Sequence, residues 1–287
     1  MTAWAFATPV TLYLALFFAY PLYRNLDLSL RDYTVMSFVH GGAKFIGLKN
    51  YSTAIHDPVF SEAVWHTAFF VSISLLFQYT IGLALAIFFN QHFRLSGMLR
   101  ALLLVPWLLP LIVSATVWAW MLNSESGVVN AFLRAVGGSN IHWLTSDPWS
   151  LISVTIANVW IGIPFNLVLL YSGLQGISKD VYEASSLDGA TAWKRFWYVT
   201  FPLLRPVSAI TLLLGFVYTL KVFDIIWIIT RGGPDNSSTT LATWSYQLSF
   251  GNLLPQFGPG SAVGNMLILV ALLAGLVYVR FEAKAST

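Results

Sequence analysis

Ser178-Lys179-Asp180-Val181-Tyr182-Glu183-Ala184-Ser185-Ser186-Leu187-Asp188-Gly189-Ala190-Thr191-Ala192-Trp193-Lys194-Arg195-Phe196-Trp197-Tyr198-Val199-Thr200-Phe201-Pro202 is the stretch from which the rest of the chain can be read. It lies between two long apolar runs, roughly residues 149–173 and 206–228. Ser178 or Asp180 can cap a short helix, and Asp180 with Glu183 has capping-box spacing. Asp188-Gly189 supplies a tight turn that only a residue tolerant of positive φ makes cheaply. Thr191 can cap a second short helix bearing Trp193, Phe196 and Trp197, which Pro202 is expected to stop. Two short helices at right angles would make a rigid knob, suited to docking in a groove on another protein.

Working outward, four further apolar runs appear, at about residues 3–23, 63–90, 99–122 and 262–281, which makes six in all. Each is close to the ~20 residues a helix needs to cross the hydrocarbon core. Composition agrees: 57% of the 287 residues are hydrophobic and 9% charged, against about 25% charged in a soluble domain. Mean hydropathy is +0.70, so lipid is the expected solvent for the outer face. The expected fold class is an all-α membrane protein of six transmembrane helices in a single domain, residues 1–287, with residues 174–205 as a cytoplasmic loop within it. The first run lacks a basic n-region and a small-x-small cleavage site and ends in Tyr20-Pro21-Leu22-Tyr23, so it is expected to be a retained span. Shorter amphipathic pieces, Gly127 to Val136 and Ser178 to Thr200, read as interfacial helices.

Lys and Arg in the short loops set orientation. With the N-terminus inside, the inner segments and their flanks hold Arg94, Arg100, Lys179, Lys194, Arg195, Arg205, Arg280 and Lys284. The longer outer loops hold Arg24, Arg31, Lys44, Lys49, Arg134 and Arg231. Both termini are therefore expected inside. An excess of 15 Lys and Arg over 12 Asp and Glu is too small to imply a nucleic-acid partner. The absence of cysteine excludes disulfides, thiolate metal sites and cysteine nucleophiles. His40, His56, His66, His92 and His142 show no metal-ligand spacing. Most tryptophans, Trp4 among them, fall near span ends as an aromatic belt would, with Trp107 and Trp160 as exceptions.

The pattern Glu-Ala-x-x-x-Asp-Gly-Ala, followed by Phe-x-x-Val-Thr-x-Pro-Leu-Leu, resembles the EAA loop of binding-protein-dependent ABC importer permeases, in particular the sugar-importer branch that includes the maltose permeases. Asn158-Val-Trp160-Ile-Gly162-Ile-Pro164 and Asp224-Ile-Ile-Trp-Ile-Ile-Thr230-Arg-Gly232-Gly233-Pro234 extend the likeness. The resemblance implies a type I ABC importer permease fold in the cytoplasmic (inner) membrane of a prokaryote. It also implies that Tyr182, Glu183, Ala184, Asp188, Gly189 and Ala190 form a coupling helix and turn seated in an ATP-hydrolysing subunit. The family's small residues after Glu-Ala are usually alanine, where this chain has Ser185 and Ser186. No Gly-x-x-x-x-Gly-Lys-Ser/Thr loop occurs, so ATP and Mg are expected in the partner ATPase subunits and no cofactor in this chain.

The third to fifth runs carry Pro106, Trp107, Pro110, Asn158, Gly162, Pro164, Lys221 and Asp224, so these runs are expected to line a pathway. The first, second and sixth are expected to face lipid. Asn158, Trp160, Asn166, Tyr218 and Thr219 combine amide, hydroxyl and aromatic groups of the kind that grip sugars. From the resemblance, Asn158 and Gly162 match sugar-site positions, Phe165 and Tyr218 exchange tyrosine for phenylalanine and the reverse, and Thr219 replaces an asparagine. Helix packing without ligand contact is the plainer alternative for each, Trp160 and Thr219 above all. Lys221 and Asp224, three apart, are expected on one helix face, either neutralising each other or serving a proton-coupled secondary sugar transporter; such a transporter, or a channel, is the main rival reading. The importer reading calls for a second homologous permease, two copies of an ABC ATPase and an extracytoplasmic sugar-binding protein. That protein would meet residues 33–57, 123–147 and 231–259. The expected cargo is a disaccharide or small oligosaccharide, trehalose before maltose on resemblance alone.

Overall fold

A computed structural model describes residues 2–91, 93–251 and 253–285, with side chains for 7–91, 93–251 and 253–280. His92 and the side chains of Trp4 and Lys284 lie outside the described residues. The secondary structure described is helical apart from two isolated bridges, Arg31 with Phe45 and Thr34 with Gln256. Helix is the expected outcome for single apolar runs, since lipid offers no partner for backbone N–H and C=O groups.

In chain order, α1 (Thr2–Leu14) passes through a π turn, Ala15–Ala19, into α2 (Tyr20–Ser29). Next come α3 (Val35–His40), α4 (Lys49–His56), α5 (Pro58–Phe89), α6 (Ser96–Leu108), α7 (Leu111–Met121) and α8 (Val128–Ala135). The remainder are α9 (Trp149–Gln175), α10 (Lys179–Leu187), α11 (Ala192–Arg195), α12 (Phe201–Leu220), α13 (Asp224–Ile229), α14 (Leu241–Tyr246) and α15 (Phe257–Ala285). Among the described residues, four helices are long and apolar enough to cross a membrane: Pro58–Phe89, Trp149–Gln175, Ala192–Leu220 and Phe257–Arg280. α6 and α7 qualify together as a pair bent by 93°.

Several expectations change. The third apolar run is not one straight span: Leu109, pushed out of the helical region by the proline that follows it, is extended (ψ 142°), and Pro110 also leaves the helix (ψ 131°). Pro202 does not end the helix that Thr191 begins. A π turn over Phe196–Thr200 opens the hydrogen-bond ladder where Pro202 has no N–H to give, and the helix runs on as Ala192–Leu220. It stops at Leu220, and Lys221 to Phe223 separate it from α13. Lys221 and Asp224 therefore do not share one helix face and form no ion pair; the Lys221 Nζ instead lies 5.2 Å from the centre of the Tyr218 ring.

The second run is more enclosed than a purely lipid-facing span would be, although Leu76, Phe77, Ile81 and Phe88 remain exposed on it. In α5, 39% of the most apolar stretch is buried, more than the 33% of Ala192–Leu220 and far more than the 11% of Phe257–Arg280. Only Trp149–Gln175, at 50%, is more enclosed among these four.

The chain divides into two compact units. One, residues 1–65 and 239–270, packs Ala54, Ala63, Leu241, Trp244 and Val263 together. It ties its helices by Asn25 Nδ2 donating to Asn265 Oδ1 (2.7 Å), Asn265 Nδ2 donating to the Tyr51 hydroxyl (3.2 Å), and the Tyr51–Ser29 hydroxyl pair (2.8 Å). Such interhelical polar pairs supply affinity where helices have no water to escape from.

The other unit, residues 66–238 and 271–287, is built on α5, α9 and α12 around Leu83, Ala86, Phe89, Leu167, Leu170, Leu174 and Leu204. Small residues allow this contact. A Cβ on Gly82 would meet the Asn166 Cβ at 2.5 Å, and one on Gly173 would meet Leu204 Cδ1 at 2.7 Å. The Tyr79 hydroxyl donates across the unit to Ser208 Oγ (2.8 Å). Its Leu-rich cluster also gathers Phe93, Leu103, Ile177 and Phe196, so the turn at 90–95 and the loop 174–205 lie at the same end of this unit.

Candidate functional site: a polar-aromatic cavity and an exposed helical knob

Helix breaks are tolerated at membrane depth only where the freed backbone is enclosed by protein or lines a cavity. Both breaks in the second unit meet one cavity of about 310 Å³, which Trp107, Leu111, Val222 and Asp224 border. Asn158, Gly162, Phe165, Tyr218 and Thr219, five of the pathway residues proposed from sequence, line the same space. Trp160 does not. It projects from α9 elsewhere and stands edge-on to Trp118, ring centres 5.9 Å apart.

One wall is aromatic. Phe165 stands edge-on between Tyr218 (5.6 Å, 87°) and Trp107 (6.3 Å, 60°). The other wall is polar. Asn158, 7% exposed, donates from Nδ2 to Ser74 Oγ at 2.9 Å, and Thr219, 4% exposed, makes no side-chain hydrogen bond within the chain. Gln78 of α5 reaches in beside them and donates from Nε2 to the Asn158 backbone carbonyl at 2.9 Å. Asn166 faces the α5 seam instead, donating to the Gly162 carbonyl at 3.0 Å. Aromatic faces opposite hydrogen-bonding groups are what a polyhydroxylated ligand requires.

Sequence reasoning missed Gln78 because a lone glutamine in a long apolar run attracts little notice. A usable signal was present: Ser74, Gln78 and Gly82 repeat every four residues, a small-and-polar stripe on one helix face.

At the other end of the unit the knob forms from local chemistry. Ser178 Oγ accepts from the Asp180 N–H at 3.2 Å and starts α10. Asp180 and Glu183 form no capping box, since with Ser178 as cap the third helical position is Val181. Asp188 ends α10, and Gly189 takes φ 73°, so that the Ala190 N–H reaches the Ser185 carbonyl (3.0 Å) and the Gly189 N–H that of Ser186 (3.1 Å). This is a Schellman closure, in which the left-handed residue satisfies the helix's last carbonyls. Gly189→Val should strain the turn by about 1–2 kcal/mol. The expected result is faster proteolytic cleavage at residues 188–191 with an unchanged protease pattern elsewhere.

Thr191 caps the next helix by accepting from the Lys194 N–H (3.4 Å). Two further bonds lock the knob onto the long helix: Arg195 Nη1 to Ser186 Oγ (3.0 Å) and the Tyr182–Thr200 hydroxyl pair (3.2 Å). The Ser185 and Ser186 hydroxyls both bond back to the Tyr182 carbonyl at 2.8 Å. What remains outward is Glu183, Ala184, Leu187, Asp188 and Gly189. Leu187 is 89% exposed, and the Glu183 carboxylate has no hydrogen bond or ion pair within the chain.

Comparison with known proteins adds four findings. The family model for "Binding-protein-dependent transport system inner membrane component" matches residues 78–287. The "Trehalose/maltose transport system permease protein MalF" of Thermococcus litoralis is 35% identical over 82% of this chain and 79% of the relative. The "Sulfoquinovosyl glycerol transport system permease protein SmoG" of Agrobacterium fabrum is 33% identical over 95% and 87%. Among solved structures, a bacterial alginate ABC transporter, in complex with alginate pentasaccharide-bound periplasmic protein, contains a chain that superposes with a TM-score of 0.83 at 22% identity, covering 100% of this chain and 95% of that one. That likeness bears on the fold.

Proposed function

Because the chain belongs to the family of binding-protein-dependent transport system inner membrane components, and is a multi-pass sugar ABC transporter permease, we propose that it passes a disaccharide or small oligosaccharide through the membrane by alternating access. The cavity framed by Trp107, Phe165 and Tyr218 on one side and Asn158, Thr219 and Gln78 on the other is the observation that carries this reading. Relatives named for different sugars leave a broad class, within which trehalose is the first candidate and maltose the second. Counting the Thr2–Ser29 run and the bent α6–α7 pair as one crossing each gives six spans, both termini cytoplasmic, in one permease domain over residues 1–287. The cytoplasmic loop 174–205 then docks in an ATPase through Tyr182, Glu183, Ala184, Asp188, Gly189 and Ala190.

A six-span chain supplies one wall of a pathway. A second homologous permease supplies the other, two ABC ATPase copies hold ATP and Mg, and an extracytoplasmic sugar-binding protein docks on residues 33–57, 123–147 and 231–259. ATP-driven closure draws the two coupling loops together and turns the pathway outward, and no covalent step falls to this chain. The proton-coupled alternative loses its main support, since Lys221 and Asp224 stand on either side of a helix break without pairing.

The test is purification of the chain from its native membrane, with identification of the co-purifying subunits. The purified assembly is then assayed for ATP hydrolysis with its binding protein and a panel of disaccharides. An ATPase should co-purify, and one or a few sugars should stimulate hydrolysis several-fold. Uptake by vesicles holding this chain alone, driven by a proton gradient, would overturn the reading.

A further inference from the structure

Gln78 is unlike the other polar groups of α5. It is 4% exposed, and its Nε2 is committed to the Asn158 backbone carbonyl. A carbonyl can only accept, so this bond fixes which way the amide points. Its Oε1 is left without any partner in the chain. That oxygen is not sealed in protein: among the described residues, the only fully buried side-chain N or O atom lacking a partner is Ser114 Oγ. Gln78 borders the cavity, so its free oxygen opens onto it.

Gly162 is what allows this. A Cβ there would overlap the Gln78 amide, so a glycine one turn after Asn158 on α9 admits the head group into the seam. An acceptor open to a cavity of this size can be met by water, and a ligand hydroxyl that takes the water's place restores its hydrogen bond, whereas a ligand lacking that hydroxyl leaves it unmade.

We infer that Gln78 is a specificity-determining residue of the cavity: its Oε1 accepts a hydrogen bond from one particular hydroxyl of the sugar during passage. This rests on the sugar-permease reading above. The site is selective because the oxygen's direction is fixed by the Asn158 carbonyl, so only a hydroxyl at the matching ring position satisfies it.

The experiment uses the complete transporter in proteoliposomes with saturating binding protein. Uptake of trehalose and maltose is compared with uptake of their monodeoxy analogues, in the wild type and in Gln78→Met. The methionine fills the seam and removes the carbonyl oxygen. The same binding protein serves both, so its own selectivity cancels in the ratio. In the wild type, removal of one hydroxyl should lower uptake about tenfold, equivalent to about 1.4 kcal/mol. In Gln78→Met that penalty should vanish, while the parent sugar falls by a similar factor. Should Gln78→Met fail to assemble, Gln78→Asn retains the amide but withdraws it by one methylene, and should likewise erase the penalty. Equal loss for parent and every analogue in the variants, or a wild type indifferent to every deoxygenation, overturns the role of Gln78. A wild-type complex that imports neither disaccharide overturns the disaccharide reading and this inference with it.

Discussion

Glu183→Ala should lower sugar uptake by at least about tenfold while leaving the protein folded, membrane-inserted and normally abundant. The side chain is exposed and has no partner within the chain, so its removal costs nothing to the fold. In the proposed assembly its carboxylate meets a basic group on the ATPase. A charge-assisted hydrogen bond of that kind contributes about 1.5–3 kcal/mol, or roughly tenfold to more than a hundredfold. Uptake and ATP hydrolysis measured together distinguish coupling from simple instability. Hydrolysis should lose its stimulation by sugar-loaded binding protein. Glu183→Asp, with the charge retained on a shorter arm, should recover part of it. Wild-type uptake and unaltered stimulation in Glu183→Ala would remove the loop from its coupling role.

Gly162→Leu should be the most damaging change at a single glycine of the cavity wall. Already the first added carbon overlaps the Gln78 amide, and three more must enter a seam where α5 and α9 are in contact. Overpacking of this kind costs about 1–3 kcal/mol, and here it also displaces Gln78 from the Asn158 carbonyl. Uptake is expected to fall more than tenfold, and the midpoint of thermal unfolding of the detergent-purified assembly to drop by several degrees. Gly162→Ala should be milder, with uptake loss and little change in unfolding. Because it acts through Gln78, combining it with Gln78→Met should add almost nothing further. Full additivity of the two losses would show that the glycine serves some other contact.

What could be read directly from the residues was local or compositional. Helix caps at Ser178 and Thr191 and the positive φ of Gly189 follow from chemistry within a few positions, and all three are present. The all-helical class follows from apolar run lengths alone. Breaks and faces were harder. Pro202 reads as a stop on any propensity scale, but a π turn one step earlier accommodates it. Pro110 and Lys221 mark places where a span does not continue, yet a run of apolar letters hides a 93° bend.

The enclosure of α5 was underestimated for a similar reason. Hydropathy averages over its length, whereas burial depends on the narrow stripe of Ser74, Gln78 and Gly82. Trp160, two residues from Asn158, illustrates the same point, since two helical steps turn a side chain to the opposite flank. Lys221 and Asp224 were spaced for one helix face, but Lys221 falls in the three-residue interruption Lys221–Phe223 before the helix that Asp224 begins.

The long helix Ala192–Leu220, continuous through its π turn, has a mechanical consequence. Its N-terminal part is bolted to the knob by Arg195 and, through Thr200, by Tyr182, and its last turn carries Tyr218 and Thr219. At 1.5 Å per residue it is a rod of about 42 Å, so a tilt of about 5° at one end displaces the other by about 4 Å. That displacement is comparable to the width of a sugar ring. In the proposed assembly, a small push at the knob would be geared up along this helix into a stroke large enough to open or close the cavity, with no relay of intermediate residues between the two ends.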